Sequence, residues 1–407
     1  MTRQLIHQRL HLLFAALVAF CLPLNKLTPV CIALLALNWL LEGDFRLKFI
    51  RIRIQLNLWV FLFFYALLII GMLYTQNTRA GAFDLQVKAS LFIFPILLAT
   101  KPIPSSEQRW VLAAFLLGIF SSTIYMLSVA IREYLNTGLN HFFYQEFSIL
   151  IHPSYLSMYI NFAMAWLLYL TLQKDVFPTI LFKVSVAFVL IFLVLVNILL
   201  ASKMGLLTMG LLFVGFSVYY TVTRRRFVLG VLGIAAVALL FFLIVRLAPE
   251  VAGRINRAIA AVEYDSGDDH AASESTSVRM LVWSAANSVI AEHFLFGVGT
   301  GDVKDELMKE YEKKGISNAM EHRLNAHNQY YQVFISLGLA GFLSFLACLL
   351  LPLRQSIIRK QFVYFVFLIL VMINLLAESM LETQAGVLFY AFFNAMLCFE
   401  ATQRSDL

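Results

Sequence analysis

Apolar residues gather in twelve runs, parted by short polar segments and by one long one. The runs centre on residues 10–24, 27–41, 56–74, 83–99, 109–131, 153–172, 178–201, 204–222, 227–247, 329–353, 361–380 and 384–402. A helix that crosses a bilayer needs about 20 mostly apolar residues, within a range of about 17 to 25. The first two runs are short and are parted by the turn Pro23-Leu24-Asn25-Lys26, so they read as a tilted or hairpin-like pair. No small-residue cleavage site follows the first run, and a second apolar run comes directly after it, which argues against a removed leader. The pattern predicts an all-α, polytopic integral membrane protein with about twelve transmembrane helices. Helices one to nine fall in residues 1–247, a large helical outer loop in 248–326, and helices ten to twelve in 327–407.

Composition removes the other classes. Of 407 residues, 61% are hydrophobic and 14% charged, and 37 are Phe. A soluble domain carries roughly half apolar and a quarter charged residues. The mean hydropathy of +0.80 lies far above that range. Cys21, Cys31, Cys348 and Cys398 all sit inside apolar runs without a CxxC or a neighbouring His, and read as apolar filler.

The net charge of +7 raises the question of nucleic acid. Its distribution answers otherwise. With a cytoplasmic N-terminus, 17 lysines and arginines fall on the cytoplasmic side and 5 in the short outer segments. That bias orients the chain with both termini in the cytoplasm and the long segment outside. The long segment holds 13 acidic residues and fewer basic ones, so its charge is mixed. No nucleic-acid surface is expected.

Within the long segment, 254–264 forms a short amphipathic piece, and Asp265 to Thr276 reads as a polar loop. SVRMLVWSAANSVIAEHFLF follows as a helix over 277–296, with Ser277 as its cap. Next comes Gly297-Val298-Gly299-Thr300-Gly301-Asp302. It lacks the Gly-Lys-Ser/Thr of a phosphate loop and the strand-turn-helix setting of a dinucleotide site, and reads as a tight turn. A charged helix then ends at Gly315, and HRLNAHNQYY leads into the tenth run.

The stretch RMLVWSAANSVIAEHFLFGVGTGD, followed by AHNQYYQVFISLGLAG, resembles the O-antigen ligase and polymerase family. The hallmark is His327-Asn328, nine residues from Gln329 to Leu337, then Gly338, Leu339, Ala340 and Gly341. Arg279 and Trp283, four residues apart, and the Gly297-Val298-Gly299 turn also fit the pattern. The resemblance is close over about 80 residues. One departure concerns the seventh run, where the family places Arg after Ser and this chain has Ser202-Lys203. Lysine keeps the charge and loses the planar fork of arginine.

The resemblance implies a metal-independent glycosyltransferase of the bacterial inner membrane, acting on the periplasmic face without a cofactor. Its donor would be a glycan on undecaprenyl pyrophosphate, and its acceptor lipid A–core or another glycan. The leaving lipid pyrophosphate carries its own activation. The protein must supply cations for the developing negative charge, a base for the acceptor hydroxyl, and positioning. Arg279 and Lys203 are the candidate cations, and His327 is the candidate base. Asn328, Trp283, His152, Tyr155 and Glu378 are weaker candidates for positioning substrate. Glu378 and Glu382 flank the last outer turn and are able to pair with Arg279 or Lys203, or to contact sugar. Gly338 and Gly341 read as sites of close helix packing.

A ligase that caps lipid A–core is the leading reading, and a polymerase that extends the glycan is the alternative. A more distant one is an anion transporter, against which the polar residues concentrate at the outer face rather than mid-membrane. Arg279→Ala is expected to abolish transfer in cells while an immunoblot shows unchanged expression. Transfer at the wild-type rate would remove Arg279 from the donor site.

Overall fold

A computed structural model describes residues 3–24, 26–173, 179–263 and 276–399. Asn25, Lys174, Arg404 and the stretch from Asp265 to Ser275 lie outside the described residues. Helix is the only regular structure among the described residues. Eight helices are long and apolar enough to cross a membrane: Arg3–Leu24, Thr78–Thr100, Ser105–Thr137, Pro153–Leu172, Ile180–Leu200, Lys203–Arg224, Phe227–Leu247 and Gln329–Ile358. A ninth comes from Phe45–Ile54 and Leu56–Gly71, bent by 88°. Three shorter apolar helices, Thr28–Glu42, Phe362–Leu375 and Gln384–Cys398, take up the remaining runs.

The protein is therefore a polytopic helical membrane protein, and each apolar run is a helix. The difference from twelve full spans has a local cause. The eleventh run stops at Leu375, because Leu376–Ser379 leaves the helix and Met380–Glu382 forms a tight 3-10 turn. The bend falls just before the third run, at Gln55, whose extended backbone (φ −99°, ψ 95°) ends one helix and starts the next.

The chain divides into two compact units. One comprises residues 1–41, 107–256 and 365–370; the other comprises 42–106, 257–364 and 371–407. In the first unit a buried polar seam joins Pro153–Leu172, Ile180–Leu200 and Lys203–Arg224. Asn161 donates to Gly205 O (2.9 Å) and Thr208 Oγ1 (2.7 Å) and accepts from Asn197 Nδ2 (2.8 Å). The Ser157 hydroxyl bonds to Asn197 Oδ1. Lipid offers no alternative partners, so such groups hold helices together.

In the second unit the helix Thr276–Glu292 buries Val278, Val282, Ala285 and Ala286 against Leu307 and Tyr311 of Val303–Lys314 and Ile335 of Gln329–Ile358. The glycine-rich turn sits where Gln329–Ile358 breaks. Gly338 stands at φ 62° and ψ −158°, a region open to glycine alone. The break frees backbone groups that the turn uses. Val298 N donates to Ile335 O (2.8 Å), Gly299 N to Ser336 O (2.9 Å), and Leu339 N to Phe294 O (2.9 Å). A Cβ on Gly338 would lie 2.4 Å from Leu295 O, and one on Gly297 2.5 Å from Ser336 O. Gly338 thus supplies a break and a close backbone approach.

The same turn is stitched to the third apolar run and to the segment that follows it. Thr300 Oγ1 donates to Leu68 O (2.7 Å), and Asp302 accepts from Gln76 N and Asn77 N (2.7 Å each). Gly338→Ala combines the wrong φ with a backbone clash and is expected to cost about 2 kcal/mol or more. A lowered melting temperature in detergent checks this; an unchanged one would contradict the interlock.

Candidate functional site

The site in the second unit begins with a helix cap. Asn328 Oδ1 accepts from Tyr330 N (2.9 Å) and Tyr331 N (3.2 Å), starting Gln329–Ile358. His327, one residue earlier, has φ 45°, a left-handed conformation that is uncommon away from glycine. Its neighbours hold it there. His327 N donates to Asn325 Oδ1 (2.9 Å), Asn328 N donates to Ser379 Oγ (3.1 Å), and Trp283 Nε1 donates to Ala326 O (3.0 Å). Trp283 also stacks on Tyr331, with centroids 6.2 Å apart. Its ring supports the backbone behind His327.

Glu378 joins the candidate base to the candidate cation. Its Oε1 accepts from Arg279 Nη2 at 3.0 Å, and its Oε2 lies 3.9 Å from His327 Nδ1. The three side chains are 11%, 19% and 16% exposed for Glu378, Arg279 and His327. Arg279 occupies the first turn of Thr276–Glu292. His327 Nε2 and Arg279 Nε are buried and have no hydrogen-bond partner among the described residues. Each therefore holds hydrogen-bonding capacity that the protein leaves unused.

The other three sequence candidates belong to the first unit. Lys203 opens Lys203–Arg224 directly after Ser202, whose Oγ caps that helix by accepting from Gly205 N (3.2 Å). His152 caps Pro153–Leu172, its Nδ1 accepting from Ser154 N (3.3 Å). Ser154 Oγ and Ser202 Oγ are 3.5 Å apart, which brings these two helix starts together. Tyr155 is buried, with its ring 5.8 Å from that of His152.

Sequence reasoning missed a second set of charges. Lys88 Nζ lies 2.6 Å from Asp84 Oδ2 and 2.9 Å from Glu382 Oε1. Gln329 Nε2 donates to the same Glu382 oxygen (3.0 Å). The available signal was Asp84 and Lys88 at helical i,i+4 spacing in an apolar run, where ionisable residues are costly. Among the described residues, no group of three or more His, Cys, Asp or Glu has the arrangement to hold a metal ion.

A family model described as O-antigen ligase matches residues 186–346. Over that range the chain is similar to the O-antigen ligase family. The matched range holds Lys203, Arg279, Trp283, His327, Asn328 and Gly338, while His152, Tyr155, Glu378 and Lys88 lie outside it. No curated protein matches the chain. The match supports a membrane glycosyltransferase activity of the O-antigen ligase or polymerase type.

Glu382 carries a readable pH signature. Burial pushes its carboxyl up, but the Lys88 ammonium, with the Gln329 amide, holds it below the usual carboxylate range. A depressed folded value stabilises the protein above the unfolded range near about 4.3, and that stabilisation is lost as pH falls through the folded value. Glu382→Gln is therefore expected to melt with a shallower acid limb than wild type. Parallel acid limbs in the two proteins would contradict the pairing.

Proposed function

We propose that the protein transfers a glycan from undecaprenyl pyrophosphate to a hydroxyl of lipid A–core, at the periplasmic face of the bacterial inner membrane. The observation that carries this reading is one carboxylate, Glu378, set between Arg279 and His327. With Nδ1 turned to Glu378, the ring leaves Nε2 for substrate. The acceptor hydroxyl gives its proton to Nε2 as its oxygen attacks the anomeric carbon. The bond from that carbon to the pyrophosphate oxygen breaks, and the electron pair leaves with the lipid pyrophosphate. Glu378 stabilises the imidazolium so formed, and orients the ring, as a carboxylate does in other acid–base pairs.

Arg279 faces the leaving pyrophosphate, its charge offsetting the charge that develops there. Lys203, in the first unit, is proposed as a further anion-binding point charge, in the place the family gives to arginine. His152, Tyr155 and Asn328 are assigned to positioning. No step requires a cofactor, since the leaving group is already activated. The orientation with both termini in the cytoplasm rests on the lysine and arginine bias.

The test is expression in cells deleted for their own ligase, with wild type compared to His327→Ala. Glycan-capped lipopolysaccharide is read as a ladder on a gel. Wild type is expected to restore the ladder and the variant to leave it absent. Restoration by both would remove His327 as the base. Restoration by neither, at normal expression, would favour the polymerase reading and call for a chain-extension assay.

A further inference from the structure

Two short stretches of chain lie side by side in the second unit. One is His327-Asn328-Gln329, and the other runs from Glu378 to Glu382. Three hydrogen bonds join them. Asn328 N donates to Ser379 Oγ (3.1 Å), Leu381 N donates to Gln329 Oε1 (2.7 Å), and Gln329 Nε2 donates to Glu382 Oε1 (3.0 Å). The next rung of this ladder is the approach of His327 to Glu378. Gln329 is fully buried and uses both ends of its amide, so it fixes the register of the turn.

The far end of the ladder is pinned by charge. Lys88 is the last residue of the helix Thr78–Lys88, and its side chain is 6% exposed. It sits between Asp84 and Glu382, and its ammonium is the only cation paired with them among the described residues. Removing it would leave two buried carboxylates facing each other, and an unpaired buried charge is strongly unfavourable. Glu382 would leave the ladder and carry the turn, with Glu378, away from His327.

A cavity of about 10 Å³ adjoins Lys88, Gln329 and Glu382, with room for about one water and none for a sugar. The Lys88 side chain is 6% exposed, which suits a residue that acts through its neighbours. The geometry points to Lys88 and Gln329 as positioning residues, which hold Glu378 against His327 and Arg279 through Glu382 and the Met380–Glu382 turn. This inference rests on the proposed roles of His327 and Glu378.

The test uses the full-length protein in nanodiscs, with an undecaprenyl-pyrophosphate-linked glycan as donor and lipid A–core as acceptor. Lys88→Met and Gln329→Met are each expected to lower kcat at least about ten-fold, with the donor KM held within about two-fold. Lys88→Arg should recover most of the loss. Combining Lys88→Met with Glu378→Gln should cost no more than Glu378→Gln alone, because both act through one carboxylate.

A merely structural role would instead lower the folded fraction and multiply with Glu378→Gln. Such multiplication, or a wild-type kcat in Gln329→Met, would overturn the inference. Gln329→Met strands no charge and serves where Lys88→Met does not fold. A folded wild type that transfers nothing would overturn the functional reading instead. Positioning is then read from melting temperatures, where Gln329→Met and Glu378→Gln are expected to couple, and simple addition would overturn it.

Discussion

The arrangement depends on how one carboxylate is shared. Glu378 accepts from Arg279 and faces the Nδ1 side of His327, with all three side chains mostly withdrawn from solvent. A carboxylate in that setting without a cation would be costly. Arg279 offsets that cost, and its own Nε stays without a partner among the described residues. The pair thereby keeps a cation and an imidazole nitrogen side by side. On the proposed reading, their unused hydrogen-bonding capacity would serve a leaving pyrophosphate and an attacking hydroxyl.

The surrounding structure serves to hold that carboxylate in register. The long helix Gln329–Ile358 starts at the Asn328 cap and breaks at Gly338. The cap brings His327 to the turn that carries Glu378, and the break receives the glycine-rich turn after Thr276–Glu292. Arg279 is thus placed from one end of a helix whose other end is locked at Gly338. The spacing in the family motif acquires a physical meaning. The nine residues between Asn328 and Gly338 span the distance from the cap to the interlock.

Much of this was legible in the sequence. Twelve apolar runs became helices because hydropathy in lipid leaves little else. The tight turn at Gly297 follows from local chemistry, whereas Asn328 was read as a positioning residue and its role as helix cap emerges only from the structure. The pairing of Glu378 with Arg279 was one of several that the sequence left open, and burial and distance select it. The role of Lys88 was not legible. Its partner Glu382 lies 294 positions away, and no period or spacing encodes such a contact. Lys88 entered the sequence reading only as one of the five basic residues counted in the short outer segments. Trp283 has an N–H partner in Ala326 O that its sequence position does not reveal.

The most direct measurement reconstitutes the purified protein in vesicles that hold the lipid-linked glycan and lipid A–core, with no nucleotide present. Glycan joined to lipid A–core and free undecaprenyl pyrophosphate are quantified together. The account predicts equal amounts of both products from wild type. Recovery of the donor intact, moved across the bilayer without loss of its pyrophosphate link, would contradict it.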